Sequence, residues 1–547
     1  MRILVIGAVA AGTSAAAKAR RNDDNAEITI YERDRDISYS GCGLPYYIGG
    51  EIENIEELTP RDAAFFKKKY NIDVLTGHEV LKIDSKMGEL TVKNLNTNEV
   101  FTDKYDKLVI ATGAAPFVPN IKGVDQGHVF FLRNVQNARE IKSFIEEHKP
   151  QHAIIAGTGF IGLELLENLM ALGITVTLVE KQNKLTPNLD EDMSAFLEEA
   201  LHKKSVQVIK NAGITEIAAD YVILEDGRSI ESSMVIMATG VKPNVALAKE
   251  AGIEIGTTGA IKVNHKMETN IQGIYACGDC IETFSAITGK PVYRPLGSTA
   301  NKTGRIAGDV LTGGMLEYRG NLSTGIFKLF DLTVASTGLS EKEAIAEGYE
   351  VVICHNIKPD KPEYFHGREM VIKAVADKSS QRLLGVQIIG YEGVDKRLDV
   401  FATLIAYGAR VEDLFHLDLG YAPPFSTTKD PVHYTGMILD NAINHDRPLI
   451  TAKAAQGVIK EGQKVQVIDA RVSKQYEEGH VDTAVNMPQD SLRKELECLD
   501  KETLTITYCN KGVTGNAAQN ILINHGFTKV YNLSGGHKFY KATKEEV

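Results

Sequence analysis

No apolar run in these 547 residues approaches the roughly 18 needed to cross a bilayer. Cysteine is scarce. Six residues are too few to staple a chain of this length, and they suit a reducing cytoplasm, where a functional thiol is favoured over a structural bridge. Positive charge is also short: 61 Lys and Arg stand against 72 Asp and Glu, a net charge of -11 that argues against a nucleic-acid or anionic-membrane partner. No basic and apolar leader with a cleavage site precedes Met1-Arg2-Ile3-Leu4-Val5-Ile6-Gly7, which reads as a buried strand entering a turn, so secretion is not expected. A metal centre lacks its ligands as well. The single C-x-x-C, Cys277-Gly278-Asp279-Cys280, has no second pair or histidine cluster beside it.

What remains is an ordinary globular composition, 43% apolar and 24% charged, long enough for about three to four domains. Arg2 to Ile6 runs into Gly7-Ala8-Val9-Ala10-Ala11-Gly12 and an Ala-rich helix, and a second strand, Glu27 to Tyr31, ends on Glu32. Strand, glycine turn, helix, strand and terminal acid are the order of a dinucleotide-binding unit, in which phosphates sit on the helix N-terminus and the acid accepts from a ribose. The middle glycine of the fingerprint is missing, since Val9 stands there. The pattern returns intact at Gly157-Thr158-Gly159-Phe160-Ile161-Gly162, between strands Ala153 to Ala156 and Thr175 to Val179, and closes on Glu180. An acid there favours the 2′-hydroxyl of NAD over a 2′-phosphate, although Lys181 follows it and leaves NADPH possible. Two such units mean two dinucleotides, or one dinucleotide and a structural duplicate.

Between and after these units, apolar strands stop at Ala111-Thr112-Gly113 and Ala238-Thr239-Gly240, and another ends at Gly278-Asp279. Together these segments resemble the flavoprotein disulfide reductase superfamily. The resemblance implies FAD held by Gly7, Gly12, Glu32, Ser38, Ala111, Thr112, Gly113, Asp279 and Asn301, and NADH held by Gly157, Gly159, Gly162, Glu180 and Gly240. The helix beginning near Pro295 would set its positive end by the flavin. From 321 to 446 a mixed α/β segment resembles the interface domain of the same superfamily, which makes the enzymes homodimers.

Ser38-Tyr39-Ser40-Gly41-Cys42-Gly43-Leu44-Pro45-Tyr46-Tyr47 sets one cysteine between two glycines ahead of a short helix. Alone, this is a buried structural thiol or a reactive one whose thiolate a helix N-terminus would favour. Most disulfide reductases of the superfamily carry a second cysteine four residues earlier. Ser38 occupies that place here, so no redox disulfide forms within the loop. The S-x-x-x-C-G-x-P-Y stretch resembles coenzyme A-disulfide reductases and the related NADH oxidases and peroxidases, whose single cysteine cycles through a mixed disulfide or a sulfenic acid. The oxidase branch carries a histidine where Ala10 stands. The CoA branch carries interface tyrosines near the cysteine, matched by Tyr421 in Tyr-Ala-Pro-Pro and, with Phe365 and His366 in place of the usual Tyr-Pro, by Tyr364. Basic residues of the first helix and beyond, Arg20, Arg21 and Arg61, are candidates for CoA phosphates.

The last segment starts a fresh pattern. Strand Thr503 to Tyr508 ends on Cys509-Asn510-Lys511-Gly512-Val513-Thr514-Gly515, and an Ala-rich helix follows. A loop of this kind aims N–H groups at the sulfur and lowers its thiol pKa. The segment resembles a single rhodanese domain, with Thr514 in place of the usual loop arginine and Lys511 as a nearby cation.

The expected fold is therefore α/β: a discontinuous FAD-binding domain (1–118 and 249–320), an NAD(P)H-binding domain (119–248), an α+β dimerisation domain (321–446), a linker (447–453) and an α/β rhodanese domain (454–547). As a whole the chain resembles the coenzyme A-disulfide reductase–rhodanese fusions, also described as NADH-dependent persulfide or polysulfide reductases. The resemblance implies reduction of a CoA persulfide, a polysulfide or CoA disulfide through Cys42, with sulfane sulfur carried on Cys509. Alternatives are an NADH oxidase or peroxidase using a Cys42 sulfenic acid, and a sulfur-carrier or redox-sensing protein.

Overall fold

The computed structural model describes residues 1–544 and divides into two compact units, 1–181 with 209–321 and 182–208 with 322–547. The first unit holds two parallel sheets. In one the strand order is Ile274–Ala276, Lys107–Ile110, Arg2–Ile6, Glu27–Glu32, Asp73–Thr76. In the other, Thr175–Val179, His152–Ala156, Met234–Met237 and Val129–Phe130 lie side by side. The central strands read as unbroken apolar runs because helices cover both faces, as all-parallel sheets require. Ile3, Leu4, Val5, Leu108, Val109 and Ile110 in the first sheet, and Ile154, Ile155, Val235 and Ile236 in the second, are fully buried. Each glycine turn follows a central strand and opens a helix, Ala11–Asn22 in the first half and Phe160–Ala171 in the second.

The second unit joins two sheets of different character. An antiparallel sheet runs Gly325–Leu329, Leu332–Gly338, Leu383–Gly390, Glu369–Asp377, Val351–Pro359, with helices Val394–Ala406 and Pro431–Asn444 packed on it. A parallel sheet follows, ordered Leu449–Ile450, Val530–Leu533, Leu504–Tyr508, Val465–Asp469, Val485–Asn486. Two boundaries differ from the sequence reading. Residues 182–208, expected within the nucleotide half, belong to the second unit, because Asp190 and Asp192 pair with the fully buried Lys373 and Asp190 also takes an amide N–H from Gln387. The expected linker 447–453 is part of the last domain. Leu449–Ile450 is a strand of its sheet, Thr451 caps the helix Ala452–Lys460, and Arg447 bonds Asn520. Proline and mixed charge gave that stretch the look of a connector, but its backbone is spent on sheet pairing.

The antiparallel edge strand Val351–Pro359 meets the parallel-sheet domain directly. His355 receives nothing from solvent: its N–H and Nδ1 both bond the Ser534 hydroxyl, at 2.7 and 3.0 Å, its Nε2 lies 2.8 Å from Asp192, and its ring stacks on Phe539. Glu369 on the neighbouring strand holds both Lys511 and Lys538. A burial of this kind, polar groups paired and an aromatic covered, fixes one docking geometry.

Candidate active site

In the first unit, Gly7 has φ +104°, and a side chain there would collide with the Ala111 carbonyl oxygen; one at Gly12 would meet the Gly7 carbonyl. The first turn thus has the tight geometry of the fingerprint although its middle glycine is replaced. It opens into a cavity of about 840 Å³ lined by Gly7, Ala10, Glu32, Ala111, Thr112, Gly113 and Asp279 among others. Glu32 accepts from the Ala8 N–H at 2.8 Å and the Asp34 N–H at 3.0 Å, and burial raises its carboxyl pKa against the pull of those donors. A cleft walled by a glycine turn, a strand-end carboxylate and a Gly-Asp turn fits a dinucleotide such as FAD. Arg133, which no sequence motif marks, donates to Asp279 at 2.8 Å on the wall of the same cavity.

The second turn is built alike: Gly157 has φ +100° with the Ala238 carbonyl against it, and Gly162 abuts the Gly157 carbonyl. Gly159 caps the helix Phe160–Ala171, Gly240 follows the strand Met234–Met237 with φ +95°, and Glu180 accepts from the Thr158 N–H and hydroxyl at 3.0 and 2.8 Å. The arrangement fits a nicotinamide dinucleotide.

Cys42 sits in a single turn of 3-10 helix, Gly41–Gly43, that leads into Leu44–Gly49. That helix packs on Phe160–Ala171, closely enough that a side chain at Gly49 would strike Asn168. The loop thus brings the thiol toward the helix that opens the second fingerprint. Cys42 is exposed and free. The sequence led us to expect a helix end to favour its thiolate. Instead, the walls around it desolvate the sulfur, and Glu164 and Asp279 add negative charge, so its pKa is raised; Arg133 opposes the shift. Glu164, on the Phe160–Ala171 helix, is itself pushed up to about 7 by burial and by Glu167. Cys277 and Cys280, by contrast, are buried and unbridged, and burial raises both thiols; Cys280 points its sulfur at the Ile110 and Cys277 carbonyls. Among the described residues no cluster of His, Cys, Asp and Glu is arranged to hold a metal.

A second cavity of about 460 Å³ is lined by Ser38 and Tyr39, just upstream of Cys42, and by Ala10, Ser14, Asn301, Lys18, Arg21, Arg61, Lys69 and Arg305. Ser38 and Asn301, expected at the flavin, line this groove; Asn301 accepts from the Ser14 hydroxyl at 2.7 Å. Arg20 is a correction. It is 6% exposed, and its guanidinium donates to the backbone carbonyls of Tyr70, Asn71, Asp23 and Asp24, which leaves it no role toward a CoA phosphate. Arg305, which the sequence reading did not single out, lines the groove together with Lys69. Lys18 is tied to Asp309 at 3.0 Å.

In the second unit, Tyr364 and Tyr421 are 70% and 48% exposed. Both of their loops are anchored by Arg397, which is buried and donates to Asp430, Ser426 and the Asp360 carbonyl. Cys509 is buried at the end of strand Leu504–Tyr508, and Gly512 caps the helix Val513–Asn524 with φ +96°. Beneath the loop Asp469 binds Arg471 through both carboxylate oxygens and accepts from the Tyr508 hydroxyl at 2.7 Å, while Arg471 reaches Asn510 at 3.2 Å.

A family model for pyridine nucleotide-disulphide oxidoreductases matches residues 1–300, and a model of that family's dimerisation domain matches 325–431. The chain belongs to this family. A rhodanese-like domain matches 451–543, in line with the early start of the last sheet. The NAD(P)H sulfur oxidoreductase (CoA-dependent) of Pyrococcus furiosus is 36% identical over 448 residues, 80% of this chain and 99% of that protein. Two solved structures align along nearly the whole chain. The reduced Bacillus anthracis CoADR-RHD has a TM-score of 0.97 at 37% identity, covering 99% of this chain and 98% of that one. The NAD-dependent persulfide reductase from A. fulgidus has a TM-score of 0.91 at 35% identity, covering 98% and 100%. The family is that of flavin-dependent oxidoreductases using a pyridine nucleotide, and the α/β architecture followed by a rhodanese domain agrees with the fold expected from the sequence. Among the described residues no helix is long and apolar enough to cross a membrane.

Proposed function

We propose that this oxidoreductase reduces a CoA persulfide, a polysulfide or CoA disulfide through the single thiol of Cys42, and that Cys509 carries sulfane sulfur. The observation that carries the reading is the basic groove beside the Cys42 loop. Arg21, Arg61, Lys69 and Arg305 offer cations for the phosphates of a CoA thiol, and Ser38 and Tyr39 connect the groove to the cysteine in sequence. When bound, the flavin and reduced nicotinamide supply the electron pair that returns an oxidised Cys42 to its thiol level. The Cys42 thiolate attacks a substrate sulfur, the new S–S bond forms as the substrate's breaks, and hydrosulfide or CoA thiolate leaves. Tyr421 and Tyr364, held by Arg397 on exposed loops, are the proposed proton donors to that leaving thiolate, in a homodimer formed through the 325–431 domain. The reading places the enzyme in a reducing cytoplasm.

Steady-state kinetics with CoA persulfide, CoA disulfide and oxygen as alternative acceptors tests this. Rapid NADH oxidation with oxygen alone would favour the oxidase or peroxidase reading, against which Ala10 stands: it lines the flavin cavity with a methyl group and offers no acid–base function there. Negligible turnover with every acceptor, together with stable persulfide on Cys509, would favour a sulfur carrier or sensor.

A further inference from the structure

The Cys509 pocket is not closed by the rhodanese domain. Its cavity of about 370 Å³ has one wall made of Cys509, Asn510, Lys511 and Arg471 and another made of Ile357, Lys358 and Pro359 from the edge strand of the dimerisation domain. Three cations face this space, and two are already neutralised. Arg471 is held by Asp469 on both carboxylate oxygens, and Lys511 is held by Glu369. Lys358 differs. Among the described residues no carboxylate pairs with it, and its ammonium rests 4.1 Å from the centre of the Tyr434 ring. The other charged or titratable groups around it are Lys429, which shares Tyr434, and, across the pocket, His537, 3.1 Å from Arg471. Burial, Lys511 and Lys429 all lower the pKa of Lys358, and the Cys509 thiol is the one neighbour that raises it. An unpaired, half-buried ammonium at the mouth of an anion-handling loop is a charge in want of a counterion.

We propose that Lys358 is a positioning residue of the Cys509 site: it binds the anionic end of the sulfane-sulfur donor and stabilises the Cys509 thiolate and persulfide, so that the sulfur-transfer site is shared between the dimerisation and rhodanese domains. Its ammonium supplies, from outside the loop, a cation that Thr514 does not. The proposal rests on the reading of Cys509 as a sulfur carrier. In the step it assists, the Cys509 thiolate attacks the outer sulfur of thiosulfate or of an organic persulfide. The Cys509 S–S bond forms, the donor's S–S bond breaks, and the electron pair leaves with sulfite or thiolate, so no further oxidant or reductant is needed.

The test uses the full-length holoenzyme, wild type, Lys358→Met and Lys358→Arg. Two quantities are measured: the KM for thiosulfate and for glutathione persulfide in sulfur transfer to cyanide, and the pH midpoint of Cys509 alkylation, followed by peptide mass spectrometry. We expect Lys358→Met to raise the donor KM roughly tenfold with a smaller change in kcat, to move the alkylation midpoint up by about 0.5 pH, and to leave NADH-dependent turnover at Cys42 unchanged. Lys358→Arg should restore most of both. Wild-type donor KM and an unmoved midpoint in Lys358→Met would overturn the proposal. Should wild-type Cys509 accept sulfur from neither donor, the carrier reading falls, and the alkylation midpoint alone decides the role of Lys358.

Discussion

The two cysteines proposed to handle sulfur sit in opposite surroundings. Cys42 is exposed, flanked by glycines, and faces the carboxylates of Glu164 and Asp279. Cys509 is buried under a loop cradled by Arg471, Lys511 and Lys358. A thiol with acidic neighbours resists becoming a free anion, and the exposure of Cys42 leaves it open to a large substrate. Cations around a thiol favour an anionic sulfur, as the proposed carrier role of Cys509 requires. One chain thus places acidic neighbours by one cysteine and basic ones by the other.

The largest expected effect separates them outright. Cys42→Ser should lower NADH-dependent turnover of CoA disulfide or persulfide by at least about a thousandfold while Cys509 still loads sulfur, as steady-state kinetics and intact-mass measurement would show. Cys509→Ser should do the reverse, abolishing persulfide loading and leaving turnover of a directly diffusing CoA substrate within about twofold. Loss of both functions in either variant would mean that the sites are not separable.

Next in size is the support beneath the second site. Asp469→Asn leaves the buried Arg471 and the Tyr508 hydroxyl without their carboxylate, and removing one partner of a buried pair costs about 3–5 kcal/mol. Denaturant unfolding should show the rhodanese part opening at lower denaturant, with NADH-dependent turnover at Cys42 retained.

A pH series distinguishes the regions more gently. Burial and Arg471 push His537, beside Cys509, down to about 4. Its folded pKa lies below the unfolded value near 6.5, so the unfolded chain takes up a proton that the folded one refuses. The rhodanese part should therefore lose stability as pH falls from about 6.5 toward 4, with no contribution from this group above that window. His537→Gln should flatten that part of the profile in thermal melts.

The smallest effect sharpens the comparison most. Glu164→Gln removes a carboxylate that raises the Cys42 pKa, so the pH midpoint of Cys42 alkylation should move down by a few tenths of a pH unit. An upward movement would show that Glu164 acts on Cys42 other than through its charge.

What the sequence made legible follows the range of each signal. Glycine turns, strand-end acids and the Cys42 and Cys509 loops are local, and each has backbone geometry that its own residues dictate, so they could be read in order. The place of Arg20 is not legible in sequence, because composition shows a charge but not where its donors go; four backbone carbonyls 3 to 51 residues away claim them. Arg133, Arg305 and Lys358 carry no motif, and only tertiary folding brings them to their sites. The linker failed for a related reason: a two-residue strand leaves almost no periodicity to read, and its partner lies some 80 residues on.

Four residues separate the last turn of helix Pro431–Asn444 from strand Leu449–Ile450. Fully extended they span no more than about 15 Å. A leash that short cannot serve as a flexible arm, so the position of the Cys509 loop is set by docking and not by chain statistics.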